Sequence, residues 1–135
     1  MTAIVFDSFP ILALLQKEGG EPRVQELLRQ AVKGEVEIWM SLVNLGEVLY
    51  LVERRRGEQA TRKMLAELLS LPIQWEEVGL AQIQRAAHLK AIYPISYADS
   101  FAAALAQSLG ASLLTGDPEF SALETEIAVE WLAKD

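Results

Sequence analysis

Four acidic residues stand apart from the rest of the chain by their placement. Asp7 directly follows the apolar run IVF, and Asp117 lies in TGDPEF just past a second run, SLL. Asp99 comes three residues after Ser96, and Glu47 is the one charge within residues 42–52. Three of them have an ordinary alternative. Asp7 and Asp117 suit helix N-caps, Ser8 could cap beside Asp7, and Pro118 would follow as a first helical residue. Ser96 and Asp99 have the spacing of a capping box with Asp in place of Glu, in a first turn that favours a carboxylate anyway. Glu47 fits no such role: its one-turn neighbours are Val43, Asn44, Tyr50 and Leu51. A carboxylate on such a face needs a cation or hydrogen bonds. Were the four to converge, two unit charges at 4 Å would repel by about 4 kcal/mol at an effective dielectric of 20. Such a cluster must take up protons or bind a divalent cation. Carboxylates around Mg²⁺ or Mn²⁺ are the equipment of phosphodiester hydrolysis.

Composition narrows the chemistry to the same place. The 135 residues carry no Cys and one His, so thiol nucleophiles, disulfides, zinc fingers and sites built on two imidazoles are excluded. What remains is oxygen, which suits hard cations. Of the 19 acids, 15 are Glu and four are Asp, and the net charge is −7. That charge argues against coating nucleic acid by bulk attraction. The start, MTAIVFD, lacks a basic leader region, and the longest uncharged stretch, residues 100–116, is too short and too polar to span a bilayer. A soluble intracellular protein is expected.

The elements that must position these acids follow from periodicity. Strands are predicted at residues 3–6, 36–40, 73–78, 111–115 and 127–131, and helices at 10–17, 22–33, 42–56, 58–71, 80–92 and 96–109. Ser41 should cap the third helix and Gly57 stop it, while Gly110 closes the last. Strands alternating with helices imply one α/β domain over residues 1–135, with a parallel sheet covered on both faces. Ligands of such sheets bind beyond the carboxyl ends of the strands, where Asp7 and Asp117 fall.

The motifs IVFDS, SLVNLGEVLY and YADSFAAALAQSLGASLLTGDPEF, in this order and separation, resemble the PIN-domain nucleases and, within them, the VapC-type toxin ribonucleases of toxin–antitoxin pairs. The resemblance spans essentially the whole chain. It implies a PIN-like three-layer fold with a five-stranded parallel sheet in the order 3-2-1-4-5, and Asp7, Glu47, Asp99 and Asp117 as the acidic quartet holding one or two Mg²⁺ or Mn²⁺ ions. Ser8 and Thr115 match small hydroxyl positions that support the site, and Asn44 a polar position one turn before the acid. It also implies a cytoplasmic RNA-cutting homodimer, silenced by a VapB-like antitoxin whose C-terminal segment occupies the groove near the active site. Ser100 departs from the aliphatic or Cys common after Asp99.

Five of the 12 basic residues, Arg54, Arg55, Arg56, Arg62 and Lys63, lie within ten positions. They either complement a helix C-terminus or form a rim for RNA phosphates. Met64, Leu65, Leu68 and Leu69 read as core, as do Trp39, Trp75 and Trp131; His88 reads as a surface residue. A receiver domain would need paired acids after the first strand, and a haloacid dehalogenase-type phosphatase an Asp where Phe9 stands. Nucleotide-binding glycine motifs are absent. The alternatives within the same fold are an RNA-processing nuclease without an antitoxin and a non-catalytic scaffold or RNA-binding module.

Overall fold

All strands of the sheet run in one direction. The computed structural model describes residues 2–17 and 19–132. Along it run β1 (Thr2–Phe6), α1 (Ser8–Gln16), α2 (Glu21–Val32), β2 (Val36–Ser41), α3 (Leu42–Arg56) and α4 (Glu58–Leu69). β3 (Ile73–Glu76), α5 (Leu80–Ile92), α6 (Tyr97–Leu109), β4 (Ser112–Thr115), a 3-10 turn (Pro118–Leu123) and β5 (Val129–Trp131) follow. The order across the sheet is β3-β2-β1-β4-β5, every pair parallel, as the resemblance implies.

Strand alternation divides the core in two. Ile4 and Phe6, Ile38 and Met40, and Leu114 face a layer built from α1, α2, α3 and α4. Val5 and Leu113 face the opposite layer, where α5 and α6 contribute Leu89, Phe101, Leu105 and a run of buried alanines, Ala102, Ala103 and Ala104. Those alanines let α6 lie close against the sheet, which brings its first turn to the strand ends.

Several boundaries shift from expectation, for local reasons. α1 begins at Ser8 rather than residue 10, because Asp7 caps it: the Phe9 N–H donates to Asp7 Oδ1 at 3.1 Å. α4 ends at Leu69, where the Ser70 and Leu71 N–H groups turn back to Glu67 and Leu68 ahead of Pro72. β3, β4 and β5 are each shorter than predicted. Trp131 corrects the reading of it as core. It lies on the edge strand β5, 41% exposed, with its indole N–H 3.4 Å from Glu124 Oε2. Leu69 likewise lies on the open side of α4, whereas Met64 and Leu68 are buried, and Leu65 packs half-buried against them. Trp39 and Trp75 are half-buried against the two core clusters, and His88 is exposed. The fourth aspartate, Asp135, falls outside the described residues. Among the described residues no helix is long and apolar enough to cross a membrane.

Candidate active site

Phe6 pairs in register with Met40 on one side and Leu114 on the other, so β1, β2 and β4 end nearly level. The next residues are Asp7, Ser41 and Thr115, all buried. Thr115 joins two of the acids: its Oγ1 donates to Asp7 Oδ2 at 2.7 Å and accepts from the Asp117 N–H at 3.0 Å. Asp7 therefore caps α1 with one carboxylate oxygen and is held across the sheet by the other. Asp117 Oδ1 accepts from the Glu119 N–H at 2.9 Å, capping the 3-10 turn. The cap readings and the site readings of these two residues are compatible.

Gly116, between Thr115 and Asp117, is required by crowding. A Cβ there would overlap the ring of Phe9. The ring thus presses on the loop that aims Asp117, and a larger residue at 116 would displace one or the other.

The N-terminus of α6 departs from the expected capping box. Ser96 Oγ accepts from the Asp99 N–H at 3.1 Å, but Asp99 does not return the bond to Ser96. Glu119 does so instead: its Oε1 accepts from the Ser96 N–H at 2.7 Å. A carboxylate from the loop after β4 completes the cap, and the Asp99 carboxylate is left for the site. Sequence inspection did not single out Glu119, because its partner lies 23 positions away. Asp99, Asp117 and Glu119 can place one carboxylate oxygen each within 4.8 Å of one another.

Glu47 projects from α3 at the boundary between its buried face (Asn44, Leu45, Val48, Val52) and its open one. Asn44 Nδ2 donates to the Ala98 carbonyl at 3.1 Å, tying α3 to the first turn of α6 beside Asp99. Glu47 Oε1 is buried and has no hydrogen-bond partner among the described residues. Ser8 is buried in the first turn of α1, and no hydrogen bond among the described residues links its side chain to the acids.

Electrostatics binds these groups together. Burial pushes the Asp7 carboxyl well above the ordinary carboxylate range, and the charges of Asp99 and Asp117 push the same way. The Thr115 hydroxyl and the Phe9 N–H oppose them without winning. Asp99 is pushed up to about 7, first by burial and then by Asp117, Glu119 and Glu47. Asp7 and Glu47 lie outside the close triplet; Asp7 is coupled to it through Asp99 and Asp117, and Glu47 through Asp99. Hard carboxylate oxygens, mutual repulsion and an unpartnered buried oxygen make a donor set that fits Mg²⁺ or Mn²⁺.

The five basic residues fall in different surroundings, three of them on two hollows that share Leu15 and Arg56. Arg54 lies over the Tyr50 ring at 4.8 Å on the open face of α3. Arg55 and Arg56 line a hollow between α1 and α3 with Leu12, Leu15 and Leu51. Lys63 and Arg56 border a neighbouring hollow with Met64, and Arg62 is paired with Glu58 one turn away.

Solved structures share this fold. A VapBC2 complex from Rickettsia felis bound to promoter DNA superposes with a TM-score of 0.75 at 17% identity, covering 98% of this chain and 100% of that one. A DNA-bound VapBC from Salmonella typhimurium gives 0.73 at 17% identity, covering 96% and 98%. VapC20 from Mycobacterium tuberculosis, a sarcin-ricin loop cleaving toxin, gives 0.70 at 22% identity, covering 88% and 93%. No curated protein matches the sequence. The PIN domain family model matches residues 4–126, from β1 to just past the turn that carries Asp117 and Glu119, and by that match the chain belongs to the PIN-domain family.

Proposed function

We propose that the protein is a divalent-cation-dependent ribonuclease and the toxin of a toxin–antitoxin pair. The observation that carries this reading is the gathering of four carboxylates around that of Asp99, with one buried Glu47 oxygen lacking any partner among the described residues. Family membership and the likeness to VapC toxins support it.

Asp7, Glu47, Asp99 and Asp117 would hold Mg²⁺ or Mn²⁺, with Glu119 beside them. When bound, the cation supplies Lewis acidity at a phosphate oxygen and lowers the pKa of a water. Asp7 is fixed for this by Thr115 and the α1 cap, which leave its carboxylate little rotational freedom. Glu119 keeps Asp99 from spending its oxygens on the α6 cap. In the cation-free site a proton on Asp99 relieves the repulsion, so cation uptake should release protons and strengthen as pH rises. The fold's single His is exposed on α5, so no imidazole acid–base pair serves the site.

The partners in this reading are an RNA substrate, a VapB-like antitoxin and a second copy of the chain, in the cytoplasm. The test is cleavage of purified RNA in Mn²⁺ or Mg²⁺. EDTA and Asp7→Asn should each abolish it; full-rate cleavage in either condition overturns the proposal. Co-expression with the product of an adjacent small gene should silence the activity if the toxin assignment is right.

A further inference from the structure

The open face of α3 has features that the acid cluster does not use. Gly46 sits mid-helix at an ordinary helical φ, and nothing lies within 4 Å of where its Cβ would be. Glycine in a helix interior is unfavourable relative to alanine, and neither crowding nor backbone conformation demands it here. Its effect is a shallow hollow of about 390 Å³ lined by Gly46, Leu49, Tyr50, Glu53 and Arg54. That volume falls within the ordinary range of ligand sites. Tyr50 forms one wall, 49% exposed, with the Arg54 guanidinium over its ring.

Resting on the ribonuclease reading, we propose that this hollow is a base-stacking subsite: Tyr50 and Arg54 seat one nucleobase of single-stranded RNA beside the scissile position. Glu47, Tyr50 and Arg54 occur at i, i+3 and i+7, so they share one face of the helix. Along the axis Tyr50 lies about 4.5 Å from Glu47, and Arg54 about 10 Å. That is the span of a few stacked nucleotides at about 3.4 Å each. Acid, aromatic ring and guanidinium therefore follow one another along the helix.

The chemistry favours RNA over a protein partner. Exposed large apolar residues on this face are Leu42 and Tyr50, with Glu53 and Arg54 among them. Stable protein interfaces bury about 800 Å² per side around a charge-depleted centre. Glu53 in the hollow repels a phosphate there, whereas a neutral base with its π-face on Tyr50 suits it. The guanidinium can stack on the base and reach the adjoining phosphate. Bases paired in a duplex are not free to enter, so the subsite selects single strands.

The experiment measures binding of a short oligoadenylate and of a same-length RNA duplex by fluorescence anisotropy, in EDTA at low salt. Tyr50→Ala should weaken single-strand binding about 5- to 150-fold, the range for loss of one stacked base. Tyr50→Trp should restore it, and Gly46→Leu, which fills the hollow, should weaken it comparably. Duplex binding should not change, and Mn²⁺ uptake by each variant should match the parent. Should Tyr50→Ala misfold, Gly46→Leu decides, because space is open there.

Unchanged single-strand binding in Gly46→Leu overturns the subsite. So does an equal loss for duplex, which would make the effect purely one of charge. A shift from dimer to monomer in sedimentation, with RNA binding intact, overturns it in favour of a face between copies. Failure of the underlying reading looks different: the unaltered protein would neither bind nor cut RNA in Mn²⁺. Cleavage with an unchanged KM in Tyr50→Ala removes the subsite alone.

Discussion

Asp7 and Glu47 are both coupled to Asp99 and are held in opposite ways. Both oxygens of Asp7 accept hydrogen bonds, one from the Phe9 N–H and one from Thr115. Glu47 keeps a buried oxygen without a partner, and so does its neighbour Asn44, whose Oδ1 is buried and unbonded. The strand side of the site is thus complete as folded, whereas the seam between α3 and α6 is short of donors. An orphaned buried acceptor costs about 1–3 kcal/mol. On the ribonuclease reading proposed above, the strand side is scaffold and the α3–α6 seam is where a cation would supply the missing partner.

The largest change should come from breaking the finished half. Thr115→Val removes a donor from Asp7 and an acceptor from the Asp117 N–H, at a fully buried position. Loss of up to about 3 kcal/mol per orphaned group is expected in urea unfolding. Thr115→Ser, which keeps the hydroxyl, should recover most of it; equal damage from both would make the methyl group the cause.

Relaxing the unfinished half should act in the other direction. Asp99→Asn should raise thermal stability in EDTA at pH 8 and erase the stabilisation by Mn²⁺. Any cleavage activity should fall by more than about 100-fold, the upper range for residues that only support a metal ligand. The unaltered protein should show the matching pH dependence. Asp99 rises from an ordinary 3.8 to about 7 on folding. Its native state therefore binds the proton more tightly than the unfolded chain. The stability that Asp99 contributes is fully present below pH 4 and is lost as pH climbs towards 7, by at most about 1.4 kcal/mol per unit. Saturating Mn²⁺ should flatten that slope, and a slope of equal size in Asp99→Asn would assign it to other groups.

The smallest effect is expected at the junction of the two halves. Glu119→Ala should cost about 1 kcal/mol, the usual worth of a helix cap. Glu119→Gln should cost little in EDTA, since its amide oxygen can still accept from Ser96. If both variants match the parent in unfolding, the cap is supplied by something else.

Much of this was legible in the sequence. The alternation of apolar runs with helical periods gave the layers, and the placement of Asp7 and Asp117 after such runs located the edge of the sheet. Glu47 announced itself by its apolar surroundings. What stayed hidden was non-local. Nothing in the sequence around Glu119 marks it, because the N–H that it satisfies belongs to another helix. The Ser96–Asp99 spacing left a capping box open beside the site role of Asp99 for the same reason. Trp131 misled because a short apolar run does not reveal which strand will lie at an edge. The run of three arginines did not reveal its split either: Arg54 lies over Tyr50, while Arg55 and Arg56 border a hollow beside α1.

The contact between Phe9 and Gly116 carries a consequence for how such chains change over time. Two positions separated along the chain occupy one volume, so neither can drift alone. A relative that gained a side chain at 116 should carry a smaller residue at 9, and the pair should co-vary. Phe9→Ala should accordingly rescue Gly116→Ala in a double-mutant cycle, with the two substitutions together milder than their sum.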